Sequence, residues 1–157
     1  MIIDLERNDL TRICRYGTIK VSQARTVKPL GTVHHAVATI GGQLRDGVDL
    51  NRIVKAVFPG GSITGAPKIR AMEIINELEP TARGPYTGSI GYIGIDGNVC
   101  LNIAIRTIII KDREAYVQSG GGIVADSQPQ AEFQETLTKA DVLLRAIKAV
   151  SENTDSK

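Results

Sequence analysis

Apolar residues recur with helical spacing in four stretches of the chain, most of them bounded by residues that typically start or stop a helix. The predicted helices cover residues 1–15, 49–58, 67–78 and 129–150. Gly17 ends the first, Asp49 caps the second, and Pro80 ends the third. Because no capping residue precedes the apolar positions of the first helix, we expect this helix to be one that is cut in the middle.

Runs of β-branched and other apolar residues between the helices predict six strands. They cover residues 18–21, 33–44, 86–95, 99–110, 115–118 and 123–125. Asp96-Gly97 is typical of a hairpin turn between the third and fourth strands. Hairpin-linked strands followed by a long helix favour the α+β class, with mostly antiparallel sheet layers flanked by helices. We expect one structural unit over residues 1–150 without an internal boundary, and a polar tail over residues 151–157.

Composition and charge exclude several classes of protein. Aliphatic side chains must fill the core, because only 4% of the residues are aromatic and tryptophan is absent. A net charge of +2, with no basic run interleaved with aromatics, disfavours nucleic-acid binding. No apolar run reaches the length of a membrane span. Cys14 and Cys100 are far apart and fit no metal-binding spacing, which favours a reducing, cytoplasmic location.

Two glycine-rich segments could bring backbone N–H groups to a ligand. GGSITGAPK precedes a predicted helix, whose N-terminal dipole favours an anion. It is not a P-loop, because Ala66-Pro67 stands where that motif needs Lys-Ser/Thr, and an ordinary helix start capped by Ser62 or Thr64 is the alternative. The run Gly120–Gly122 could accept a carboxylate, or could simply form a tight hairpin or bulge.

The last predicted helix carries Glu132, Glu135 and Lys139 on one side. These residues could form a solvated face with an i,i+4 pair between Glu135 and Lys139. Apolar residues continue along the same side, however, and this favours a polar pocket instead. Two carboxylates spaced i,i+3 could share one Mg²⁺ ion, which prefers oxygen ligands.

Three further residues complete the set of candidates. Arg106 interrupts the apolar run NIAIRTIII, and its planar guanidinium group suits a carboxylate. His34 and His35 point to opposite faces of a predicted strand, so one of them must face inward, where a histidine is most often simply hydrogen-bonded. Together the candidates describe a basin that a small dianion with Mg²⁺ would satisfy.

Several long motifs resemble, in order and spacing, the chorismate-binding family, which includes component I of anthranilate synthase, component I of aminodeoxychorismate synthase, and the isochorismate and salicylate synthases. The resemblance covers residues 1 to about 150. The motifs are LERNDL, PGGSITGAPKIRAMEIINELEP, GSIGYIG, NIAIRT and VQSGGGIVADSQPQAEFQETLTKA. Within the family, GSITGAPK and LNIAIRT look more like aminodeoxychorismate synthase, whereas anthranilate synthases more often read GT-x-SGAPK.

The resemblance implies a role for ten residues around one molecule of chorismate. Glu135 matches a Mg²⁺ ligand, with Glu132 close by, and His35 matches the histidine near the C4 hydroxyl group that leaves. Ser62 and Lys139 match positions that line the pocket. The enolpyruvyl carboxylate is expected on Tyr86, Arg106, Gly120, Gly121 and Gly122.

By resemblance, the parent enzyme is expected to replace the C4 hydroxyl of chorismate with an amine in a Mg²⁺-dependent reaction on the route to p-aminobenzoate and folate. A glutamine amidotransferase subunit would supply the ammonia. Family members are far longer, and their further catalytic residues precede the segment that matches Met1. We therefore expect this chain alone to be nearly inactive. Anthranilate synthase component I and a non-catalytic truncated fragment are the alternatives.

Overall fold

The computed structural model describes residues 2–30 and 33–154. Its contacts group into two compact units, residues 1–80 and residues 81–157, where the sequence indicated no internal boundary. Pro80 ends a helix at this point, and the residues that follow it pair with later parts of the chain. Helices and antiparallel strands make up both units, which confirms the predicted α+β class.

The first unit combines a long hairpin with helices on either side of it in the chain. Its elements are α1 (Ile2–Thr11), β1 (Lys20–Leu30), β2 (Val33–Gly41), α2 (Leu50–Val57), α3 (Gly61–Thr64) and α4 (Lys68–Leu78). The strands pair antiparallel, from Lys20 opposite Gly41 to Leu30 opposite Val33. β1 is longer than the predicted strand over residues 18–21, because backbone pairing with β2 extends through a segment that lacks a clear apolar pattern.

The core of the first unit lies where the end of α1 meets α2. Ile13, Cys14 and Ala56 are buried, and the partly buried residues that pack against them are Leu10, Ile19, Val48, Ile53 and Val57. The Asp49 carboxylate accepts a hydrogen bond of 2.8 Å from the Arg52 amide, which confirms the predicted cap of α2. The cap matters here because α2 contributes Ala56 to this small core.

Two short hairpins and a long helix form the second unit. Its elements are β3 (Gly91–Ile93), β4 (Val99–Leu101), β5 (Ile108–Lys111), β6 (Glu114–Val117) and α5 (Pro129–Thr154). Asp96 Oδ1 accepts from the Asn98 amide at 3.0 Å, and Gly97 has a φ of 83°, so the predicted turn is confirmed. The predicted strand over residues 86–95 is too long, because regular pairing covers only residues 91–93. The predicted strand over residues 99–110 is in fact two strands, β4 and most of β5, which pair with different partners.

Two other predictions for the second unit are wrong. Residues 123–125 are not a strand, since no neighbouring strand pairs with them in the described part of the chain. The helix predicted over residues 129–150 ends too early, because residues 151–154 continue α5 and the Ser151 hydroxyl donates to the Ile147 carbonyl at 3.2 Å. Residues 155–157 lie outside the described residues.

Large apolar side chains of the second unit are exposed along the first hairpin and along α5. Tyr92 and Ile93 are each 63% exposed, and Phe133 is 65% exposed. Exposed apolar surface of this kind often marks a place where further protein segments pack. None of the described helices combines the length and the apolar character that a membrane crossing requires.

Candidate functional site

The first hairpin of the second unit brings Tyr86 and Arg106 to the same end. Pairing continues beyond the strands, because the Thr87 amide donates to the Ala104 carbonyl at 2.9 Å and the Ala104 amide donates to the Gly88 carbonyl at 2.9 Å. Tyr86 directly precedes Thr87 in the chain, and Arg106 lies two residues after Ala104. Arg106 has a φ of 54°, so the chain turns there instead of continuing the predicted strand.

Tyr86 packs directly against the first residue of the glycine run. Its hydroxyl oxygen lies 3.1 Å from the position that a Cβ atom on Gly120 would occupy. The guanidinium carbon of Arg83 lies 5.9 Å from the centre of the Tyr86 ring, within reach of a cation–π interaction. The Gly120 carbonyl accepts a hydrogen bond of 3.3 Å from Lys139 Nζ. Gly120 therefore lies between the phenol and α5.

The first turns of α5 hold the rest of the glycine run. Glu132 Oε1 accepts from the Ser127 hydroxyl at 2.6 Å, and Oε2 lies 3.1 Å from a Cβ position on Gly121. The Ser119 hydroxyl donates to the Thr136 carbonyl at 3.0 Å, which fixes the residue before the run. The absence of a side chain at position 121 thus allows Glu132 to approach the backbone.

Glu135 and Lys139 form an ion pair one turn further along α5. The distance between Lys139 Nζ and Glu135 Oε1 is 2.7 Å, and the two side chains are 26% and 55% exposed respectively. The pKa of Glu135 is lowered below the ordinary value of 4.5. The larger cause is the hydrogen bond from Lys139, and the smaller cause is the positive charge of Lys139. The predicted i,i+4 pair is confirmed, and it lies beside the glycine run rather than on a purely solvated face.

The structure brings together six of the ten residues implied by the sequence. They all belong to the second unit, and they are Tyr86, Gly120, Gly121, Glu132, Glu135 and Lys139. Gly122 follows them in the run, with open space where a side chain would stand. Arg106 is exposed, and among the described residues no hydrogen bond or ion pair joins it to this group.

Ser62 and His35 belong to the first unit. The Ser62 hydroxyl donates to Glu6 Oε1 at 2.9 Å, and the Thr64 hydroxyl donates to the Gly60 carbonyl at 3.1 Å. Neither residue caps the helix over residues 67–78 as predicted, because Pro67 precedes α4 and no side-chain hydrogen bond caps it. The His35 backbone pairs with Lys28 in the hairpin, and the side chains of His34 and His35 lie outside the described residues.

Sequence reasoning missed Asp9 and Lys68. Asp9 is 1% exposed, and its Oδ1 atom lies 2.8 Å from Lys68 Nζ. The signal was present, because Leu5, Asp9 and Ile13 are spaced i,i+4 and therefore share one apolar face of the helix predicted over residues 1–15. An acid on that face must point inward and needs a partner.

The acids of α5 could hold a magnesium ion. The part of the chain that the structure describes contains no cluster of three or more histidine, cysteine, aspartate or glutamate side chains. Mg²⁺ usually takes only one or two carboxylates from a protein and completes its shell with water and substrate oxygens. Glu132 and Glu135 lie one turn apart on α5 and offer two carboxylates, the number that such a site can take from a protein.

Comparison with known proteins gives a consistent result. The family model for the chorismate binding enzyme matches residues 1–145. The chain is 49% identical over 154 residues to aminodeoxychorismate synthase component 1 of Bacillus subtilis, covering 98% of this chain and 33% of that protein. It is 51% identical over 147 residues to an anthranilate synthase component 1 of Haloarcula marismortui, covering 94% of this chain and 30% of that protein.

A solved structure agrees with these relatives. Anthranilate synthase component I from Streptococcus pneumoniae superposes with a TM-score of 0.82 at 45% identity, over 89% of this chain and 32% of that chain. The chain thus belongs to the chorismate binding family of chorismate-utilising enzymes. It spans about a third of the length of the relatives that it matches.

Proposed function

We propose that this chain forms the substrate- and metal-binding part of a component I of aminodeoxychorismate synthase, which replaces the C4 hydroxyl group of chorismate with an amine. One observation carries the proposal: a chain of contacts links Tyr86 to α5 through Gly120 and Lys139. The Tyr86 hydroxyl oxygen lies 3.1 Å from a Cβ position on Gly120, and the Gly120 carbonyl accepts from Lys139, which pairs with Glu135 at 2.7 Å. The motifs GSITGAPK and LNIAIRT, together with the Bacillus subtilis relative, support the finer assignment.

The side chains of this group suit a flat molecule with two carboxylates. Lys139 offers an ammonium group, and Gly122 has open space where a side chain would stand, so a ligand could approach its backbone. Arg106 supplies a planar guanidinium group two residues beyond Ala104, the last residue of the hairpin that bonds to Thr87 and Gly88. These groups would bind the enolpyruvyl carboxylate and orient the ring.

We assign Glu135 and Glu132 as the residues that would hold Mg²⁺. When bound, the ion would supply a Lewis acid that neutralises the ring carboxylate and draws electron density from the ring. Glu135 is suited to this task because it offers carboxylate oxygens, the ligands that Mg²⁺ prefers. Lys139, which now pairs with Glu135, would be shared between the acid and the substrate carboxylate.

Four further parts of the proposal concern the complete enzyme. A glutamine amidotransferase subunit supplies the ammonia, the product leads to p-aminobenzoate and folate, and the two free cysteines fit a cytoplasmic location. This chain alone is nearly inactive. Anthranilate synthase component I is the second candidate function, because relatives with that name reach 53% identity.

Exchange of segments between relatives tests the proposal. The chain would replace the matching third of the Bacillus subtilis aminodeoxychorismate synthase component 1 and, separately, of the Haloarcula marismortui anthranilate synthase component 1. With chorismate, Mg²⁺ and ammonia, we expect the first chimaera to retain amination and the second to make little anthranilate, which is followed by its fluorescence. Equal activity in both would contradict the finer assignment, and inactivity in both would contradict chorismate chemistry.

A further inference from the structure

The ion pair between Asp9 and Lys68 joins the described helices α1 to α4 of the first unit. Asp9 lies in α1, and its Oδ2 atom accepts a hydrogen bond of 3.2 Å from the Gly61 amide in α3. Lys68 is the first residue of α4, and its Nζ atom lies 3.5 Å from the Ala56 carbonyl in the last turn of α2. Both charged side chains are withdrawn from solvent, with 2% and 13% of their surfaces exposed.

Asp9 provides a cap that α3 cannot provide for itself. The residue before α3 is Gly60, which makes no side-chain hydrogen bond to the helix. The first amide groups of a helix have no partner within the helix, so the Asp9 carboxylate, 52 residues earlier in the chain, satisfies one of them. A Cβ atom on Gly61 would lie 3.0 Å from the Cβ atom of Leu5, so only glycine fits comfortably at this close approach.

Lys68 interacts with the carbonyl end of a helix, whereas Asp9 interacts with the amide end of one. The last carbonyl groups of a helix also lack partners, and a lysine ammonium group interacts favourably with them. Lys68 thus links the carbonyl end of α2 to the carboxylate that caps α3. Asp9 Oδ1 has no other donor among the described residues, so removal of Lys68 leaves a buried charge without compensation.

We propose that Asp9 and Lys68 are positioning residues, whose ion pair holds the GGSITGAPK segment, and with it Ser62, against α1. Ser62 follows Gly61 directly, and its hydroxyl bonds Glu6 on the same helix. These two contacts therefore hold the GGSITGAPK segment in a fixed position relative to α1. The positioning itself is independent of the proposed function; only the assignment of Ser62 to the chorismate pocket rests on it.

Amide hydrogen exchange of Gly61, followed by NMR in this chain without chorismate, tests the proposal. The variants are Asp9→Asn, Lys68→Met, and the two combined, with Asp4→Asn and Lys55→Met as matched exposed controls. Each single buried variant is expected to speed Gly61 exchange on the order of 100-fold, because one charge remains buried without its partner. The double variant is expected to lie closer to the wild type than either single variant, since the side-chain amide oxygen introduced at position 9 still accepts from Gly61.

Two further readouts separate positioning from general stability. The Gly61 amide proton should shift in both single variants and recover in Lys68→Arg, which keeps the positive charge. If the single variants fail to fold, Gly61 amide exchange is measured in the double variant alone. A folded double variant with a protected Gly61 amide supports the proposal. Unchanged exchange in the single variants, additive losses in the double variant, or an unfolded double variant would overturn it. These outcomes do not involve chorismate, so failure here is distinct from failure of the proposed function.

Discussion

Replacement of Gly91 by alanine should break the hairpin that carries Tyr86 and Arg106. A Cβ atom at this position would lie 1.9 Å from the Cys100 carbonyl oxygen and 2.9 Å from the Leu101 Cα atom. The first distance is about 1.6 Å short of an ordinary contact between non-bonded atoms, so the strands would have to separate by a comparable amount. Separation on that scale is incompatible with the pairing of Gly91 with Leu101 and of Tyr92 with Cys100.

The cost of Gly91→Ala follows from the nature of the obstacle. Overpacking usually costs about 1–3 kcal/mol, because side chains can shift to make room. Here the obstacle is backbone, which cannot rotate away, so we expect a loss of about 3 kcal/mol or more in the free energy of unfolding of the second unit. Urea unfolding gives the free energy, and amide exchange of residues 91–93 and 99–101 reports the hairpin directly.

Gly41→Ala is the matched control. Gly41 also ends a strand pair, but it has no atom within 4 Å of its Cβ position and no positive φ. The control should be neutral or stabilise by about 0.4–1 kcal/mol, because alanine restricts the unfolded chain. If Gly91→Ala unfolds within about 0.5 kcal/mol of the wild type, the usual range for a neutral surface change, the pairing of β3 with β4 is wrong.

Two predictions concern the candidate site. Gly121→Ala should displace the Glu132 carboxylate, which lies 3.1 Å from the new Cβ atom, whereas Gly122→Ala should not. The carboxyl ¹³C chemical shift of Glu132 measures the displacement in both variants. Equal changes in the two variants would refute the position of the glycine run beside Glu132. Lys139→Met should raise the pKa of Glu135 towards 4.5, because it removes the hydrogen bond and charge that lower it; NMR titration in metal-free buffer measures the change. In the wild type, the stabilisation from this pair is present above pH 4.5 and lost as the pH falls through the lower folded pKa, and an unchanged pKa in the variant would show that the pair does not form.

The sequence predicted most helices and the composition of the α5 site, because these depend on local spacing. The i,i+4 relation alone brings Lys139 to Glu135, and Asp49 caps α2 through a residue three positions later. The resemblance to a family added Tyr86 and the glycine run, which local patterns left ambiguous between a turn and a site.

Features that depend on long-range pairing were harder to predict. The length of β1 is set by β2, and the turn at Arg106 interrupts a run that reads as a continuous strand. The capping of α3 comes from Asp9, which is far away in the chain and is not visible in the sequence around Gly61. Such contacts are properties of the folded chain rather than of any short segment.

The central claim is that the acids of α5, Lys139 and the glycine run bind chorismate together with Mg²⁺. Calorimetric titration of chorismate into this chain, with and without Mg²⁺, tests it most directly. Glu135→Gln is the variant, and Glu114→Gln, at the exposed first residue of β6, is the matched control. The account predicts binding that requires Mg²⁺, is lost in Glu135→Gln and persists in Glu114→Gln. Absence of binding, or equal binding without Mg²⁺ and in both variants, would contradict it.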